Sequence, residues 1–91
     1  MFLLIKIYTC RVNKEVGDTI RELRKEKHLS QEKLADAIDS HQVYISEIEK
    51  GIKLPSLIII NNIARAFDVS LTHFMSRVEK KLEKSDMQEN D

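Results

Sequence analysis

Glycine is scarce in this chain, with two in 91 residues, and that scarcity excludes a glycine-rich loop cradling a phosphate. Cysteine occurs once, at Cys10, so no disulfide forms within a chain, which fits a reducing compartment and argues against a secreted, cross-linked scaffold. Long apolar runs are missing too. The longest, Phe2 to Ile5 and Leu57 to Ile60, fall far short of the ~20 residues that cross a bilayer. The N-terminal FLLIKIYTC carries a lysine inside it and has neither a basic leader region nor a small-residue cleavage site, so a cytoplasmic protein is expected.

Net charge is also absent, with 15 basic residues against 15 acidic ones. Residues 85 to 91 hold Asp86, Glu89 and Asp91 and no base, so the other 84 residues have 15 bases against 12 acids, a net +3. Any binding to a polyanion must therefore rest on a local patch rather than on bulk charge. His28, His41 and His73 fall on separate expected elements, which gives no metal site. No Ser-His-Asp or Cys-His arrangement and no carboxylate pair is placed by a motif, so neither an enzyme nor a cofactor is expected.

What remains is enough apolar content, 42%, for one small domain with a modest core. Its strongest signal is Ser30 to Gly51, SQEKLADAIDSHQVYISEIEKG. Leu34, Ala35 and Ile38 recur at helical spacing between Gln31 and Asp39, and Ile45 and Ile48 make a second stripe on a helix from about Gln42 to Lys50. Ser30 is placed to cap the first helix, Glu32 sits in its positive first turn, and Gly51 supplies a left-handed residue after the second. Ala35, small and facing the next helix, lets two backbones approach at a steep angle.

Around this pair, Val16, Ile20 and Leu23 form the inward face of a helix from a cap at Asn13 to about Lys27. Beyond it, Pro55 and Ser56 introduce a helix with Leu57, Ile60, Ile63, Ala64 and Phe67 inward. Ser70 caps a last helix with Leu71, Phe74, Met75, Val78 and Leu82 on one face. Residues 13–83 are thus the domain, and 84–91 are expected to be a mobile polar tail. Residues 1–12 form a separate N-terminal arm in which Phe2 to Thr9, β-branched and aromatic, reads as a strand.

Gln31, Ala35, Ile45, Ile48, Glu49 and Gly51, with the flanking RELRKEKHLSQ and KLPSLIIINNIARAFDVSLTHF, closely resemble the Cro and lambda-repressor (XRE) family from about Val16 to Met75. Three positions depart from that pattern: Asp39 stands where the family usually has Gly, Ser40 where an apolar residue is common, and His41 where Ser or Thr usually caps. The resemblance implies an all-α, five-helix DNA-binding domain, here with an added N-terminal β-strand. It further implies a sequence-specific transcriptional regulator, in the repressor sense, that binds a palindromic operator in double-stranded DNA as a homodimer.

By that resemblance Gln42, Val43, Ser46 and Glu47 meet base edges in the major groove. Their chemistry suits base reading, because Gln pairs bidentately with adenine, Val packs on a thymine methyl, and Glu accepts from cytosine's amino group. Glu47 has the alternative of pairing with Lys50 one turn later. Gln31, Tyr44, Lys50 and Lys53, with Lys33 as an addition, are the expected phosphate contacts, and Arg24 and Glu49 the expected structural ion pair. Without the resemblance, all of these would be ordinary solvated side chains on surface helices.

The arm is argued from its own chemistry. A lone strand with Leu3, Ile5 and Ile7 on one face is a template for a second copy, covering Val78 and Leu82 of the last helix. A disordered leader and a strand folded back on its own subunit are the alternatives. For the whole chain the competing class is a protein-interaction module of the same fold without DNA binding, which the neutral charge and Glu47 both permit.

Overall fold

A computed structural model describes the backbone of residues 2–89 and the side chains of residues 11–84. Five helices follow one another: α1 Phe2–Glu26, α2 Gln31–Ala37, α3 Gln42–Glu49, α4 Leu57–Ala66 and α5 Leu71–Glu89. Serine caps start three of them as their positions predict. The Oγ of Ser30, Ser56 and Ser70 accept from the amides of Lys33, Ile59 and His73 at 3.0, 3.3 and 3.0 Å. Left-handed residues end the helices or shape the turns that follow: His28 (φ 57°), Asp39 (φ 57°), Gly51 (φ 78°) and Asp68 (φ 60°). Asp39 thus keeps the conformation for which a glycine would be easier.

One core unites the five helices. Val16, Ile20 and Leu23 of α1 meet Leu34 and Ala35 of α2, Ile45 and Ile48 of α3, Ile60, Ile63, Ala64 and Phe67 from α4 and its end, and Phe74 and Val78 of α5. Leu57, expected to face inward, is 65% exposed instead, because it occupies the first position of α4, before the buried stripe begins at Ile60.

The expected N-terminal strand is not formed: the backbone from Phe2 to Thr9 is the first part of α1, and no strand occurs among the described residues. The physical reason lies in hydrogen bonding. An all-helical fold offers no sheet edge to pair with, whereas a helix satisfies its own amides and carbonyls within the segment. Asn13 accordingly lies within a helix rather than at its start. The side chains of Leu3, Ile5 and Ile7 lie outside the described residues. At the other end, α5 runs on to Glu89, past Lys84 where a polar tail was expected to begin, and residues 90 and 91 lie outside the description.

Candidate nucleic-acid interface

The α2–turn–α3 unit is held from behind by α1. Gly17 is where the two come closest: a Cβ there would sit 2.3 Å from the Ile48 carbonyl oxygen and 2.8 Å from that of Glu49. Beside this contact, the Glu49 carboxylate is almost fully buried and takes two bonds from one guanidinium, Arg24 Nε to Oε2 at 2.8 Å and Nη2 to Oε1 at 3.1 Å. Arg24 also donates to the Leu29 carbonyl at 3.0 Å, so one side chain ties together α1, the α1–α2 turn and the end of α3. Burying both charges costs desolvation that the bidentate geometry offsets, so the pair fixes orientation more than it adds stability.

From Glu49 a further pair of bonds leads outward. Gln31 Nε2 donates to Glu49 Oε1 at 3.1 Å, and Gln42 Nε2 donates to Gln31 Oε1 at 3.0 Å. Gln31 and Gln42 open α2 and α3, so this relay links the starts of the two motif helices to the buried end of the second. On α3, Gln42 and Val43 are exposed, Val43 to 66%, while Ser46 and Glu47 are half-buried and Ile45 and Ile48 anchor the opposite face. His41, the residue before α3, makes no side-chain cap bond, unlike the serines before α2, α4 and α5.

Glu47 pairs with Lys53 at 3.4 Å, not with Lys50; both groups are partly exposed, so the pair is weak and salt-sensitive. Lys33 and Lys50 are exposed, and Tyr44 is half-buried against the core. Val78 is buried in the core of its own subunit and Leu82 packs at the core's edge, so Val78 presents no surface to a second copy. No helix of the described residues is long and apolar enough to cross a membrane, and no cluster of metal-ligating side chains occurs among them.

Sequence reasoning passed over two contributors. Arg21 donates to the Glu49 backbone carbonyl at 3.2 Å and lies 3.5 Å from its carboxylate, a cation at the negative end of α3. Its spacing of three from Arg24 was the available signal, since both then share one side of α1. Gly17 was the other: a lone glycine inside a helical pattern marks a close backbone approach.

Known proteins resemble this chain in sequence and in fold. The profile of the helix-turn-helix family HTH_3 matches residues 20–74. The chain is 38% identical over 65 residues to the control protein C.MunI of a Mycoplasma species, covering 70% of this chain and 88% of that protein. It is 40% identical over 58 residues to the ImmF control region 10 kDa protein of Bacillus phage phi105 and spans 64% of that protein's length. Among solved structures, the restriction-modification controller protein C.AhdI from Aeromonas hydrophila superposes with a TM-score of 0.65 at 34% identity, over 68% of this chain and 90% of that one. The controller protein C.Esp1396I, solved as a tetramer in complex with its natural 35 base-pair operator, gives a TM-score of 0.71 at 27% identity, over 78% and 93% of the two chains. With the family's pattern matched over more than half its length and folded into five helices, the chain belongs to the HTH_3, or XRE-type, helix-turn-helix family.

Proposed function

We propose that this protein is a transcriptional regulator of the controller or phage-repressor kind, which binds a palindromic operator as a homodimer and represses from it. The carrying observation is α3 itself: Ile45 and Ile48 fix one face in the core while Gln42 and Val43 are exposed on the other, with Ser46 and Glu47 beside them. Such a helix enters the major groove, where Gln42 reads adenine, Val43 packs on a thymine methyl and Glu47 accepts from cytosine. Gln31, Lys33, Tyr44, Lys50 and Lys53 flank it as phosphate contacts, and the start of α3, uncapped by a side chain, adds backbone donors. The likeness to control proteins and to an operator-bound controller supports this reading. The cytoplasm is the compartment in which such a regulator works.

One helix per subunit reads too few base pairs for tight selectivity, so a two-fold dimer reading half-sites about 34 Å apart is part of the proposal. Ile52, Leu54, Leu57 and Ile58, all exposed within seven residues of chain just beyond α3, are apolar surface suited to a second copy. Leu82 and the arm residues Leu3, Ile5 and Ile7 are the other proposed contributors.

Selection of bound duplexes from a random pool, followed by fluorescence polarisation, tests the groove assignment. Gln42→Ala is expected to lower specific affinity by ~1 to 3 kcal/mol and to relax one base position in each half-site, whereas Lys53→Ala weakens all sequences alike. An operator preference unchanged by Gln42→Ala would remove α3 from the groove. Binding that does not weaken as salt rises would instead favour a protein-interaction module.

A further inference from the structure

The buried carboxylate of Glu49 does more than pair with Arg24. A carboxylate only accepts, so the Gln31 amide facing it at 3.1 Å must present Nε2 to Glu49 and turn Oε1 the other way. That oxygen meets Gln42 at 3.0 Å, and it too only accepts, so Gln42 must present its own Nε2 inward. Two free amide rotors are thereby set by one charge. We infer that Glu49 is a positioning residue for base selection: through Gln31 it fixes which end of the Gln42 amide faces Gln31 and leaves an outward pattern of one oxygen and one N–H.

This inference rests on the groove reading of α3 and deepens it. One acceptor beside one donor matches adenine, whose N6 amino group donates and whose N7 accepts; guanine offers two acceptors, O6 and N7. Reversing the relay would therefore reverse the base. In Glu49→Gln either orientation sets the new NH2 against an Arg24 donor, Nε at the Oε2 place or Nη2 at the Oε1 place, so the side chain no longer holds Gln31 to one orientation. Where its NH2 faces Gln31, that amide turns over and offers Nε2 to Gln42. Gln42 then answers with its oxygen and shows two N–H groups outward, the pattern guanine takes.

The experiment uses the full chain, its selected operator duplex, and the three variants of that duplex at the position that Gln42→Ala relaxes. Wild type is expected to prefer adenine there by about tenfold or more. Glu49→Gln is expected to lower the adenine-to-guanine ratio to a few-fold, with thymine and cytosine still disfavoured. Gln31→Met, which keeps the side-chain length and the Arg24–Glu49 pair but has no amide, is expected to reduce the adenine preference to a few-fold while leaving the other positions as selective as before. Thermal melting accompanies both, and if Glu49→Gln does not fold, Gln31→Met alone decides. An adenine preference undiminished in Gln31→Met, or a wild-type adenine-to-guanine ratio in folded Glu49→Gln, overturns the inference while the groove reading stands. If Gln42→Ala relaxes no position, the groove reading falls first and takes this inference with it.

Discussion

At the scale of single residues, the orientation of α3 depends on two buried positions. Gly17 lets α1 lie against the carbonyls of Ile48 and Glu49, and Glu49 then draws in Arg24, Arg21 and Gln31. An alanine at 17 would improve helix propensity by about 1 kcal/mol, yet its Cβ would press on backbone oxygen rather than on a side chain that can swing away. The clash wins. Gly17→Ala is expected to destabilise by about 1 to 3 kcal/mol, read as a lower denaturant midpoint. A midpoint equal to or above that of the wild type would show that α1 and α3 shift apart at no cost.

Between elements, α1 and α5 are joined by charge as well as by the core. Arg77 reaches Glu26 at 2.7 Å and Glu22 at 3.3 Å, and Lys81 pairs with Glu22. Lys81, with Arg77 behind it, holds the Glu22 carboxyl below its ordinary 4.5 against an opposing effect of burial, and Arg77 does the same for Glu26. Folded values below the unfolded ones mean that the contribution is fully present above about 4.5 and is lost as pH falls through the depressed range. Arg77→Ala is therefore expected to lower the melting temperature clearly at pH 7 and progressively less as pH falls below about 4.5, as the acids become protonated. A loss that stays the same as pH falls would assign the effect to packing of the arginine stem. The same scale holds the largest departure from sequence expectation. The alternation of Leu3, Ile5 and Ile7 suggested a strand, but Phe2, Leu4 and Tyr8 on the other side are apolar as well, so the two-residue period was never clean, and backbone satisfaction decided for helix.

At the scale of the whole molecule, zero net charge means that the proposed binding to a polyanion must come from cations concentrated on one face. Two surfaces are candidates for the interface of the proposed dimer: the exposed Ile52, Leu54, Leu57 and Ile58, and the N-terminal part of α1. Light scattering across a dilution series separates them. Leu57→Ser with Ile58→Ser is expected to shift the dimer to monomer at concentrations where the wild type stays paired, without lowering the melting temperature of the monomer, since both side chains already face solvent. Deletion of residues 2 to 9 is expected to weaken pairing less. A double variant that dimerises as tightly as the parent, beside a truncated chain that does not, would move the interface to α1.

The sequence by itself determined where the four helices after residue 30 begin and, Leu57 apart, the core face of each. It also determined the serine caps and the left-handed stop at Gly51, because helical period, capping and φ preference are local properties. It determined the Arg24–Glu49 pair only by way of likeness to a family. Tertiary structure alone decided what Glu49 does beyond that pair, since Gln31, 18 residues away in the chain, reaches Glu49, and Gln42, 11 residues from Gln31, reaches Gln31, only when α2 and α3 are folded together. It also decided that Glu47 faces Lys53 rather than Lys50 and that Leu57 stays wet. The N-terminal arm became helix for the same reason: whether a segment finds a sheet edge depends on the rest of the fold, and an all-helical fold has none to offer.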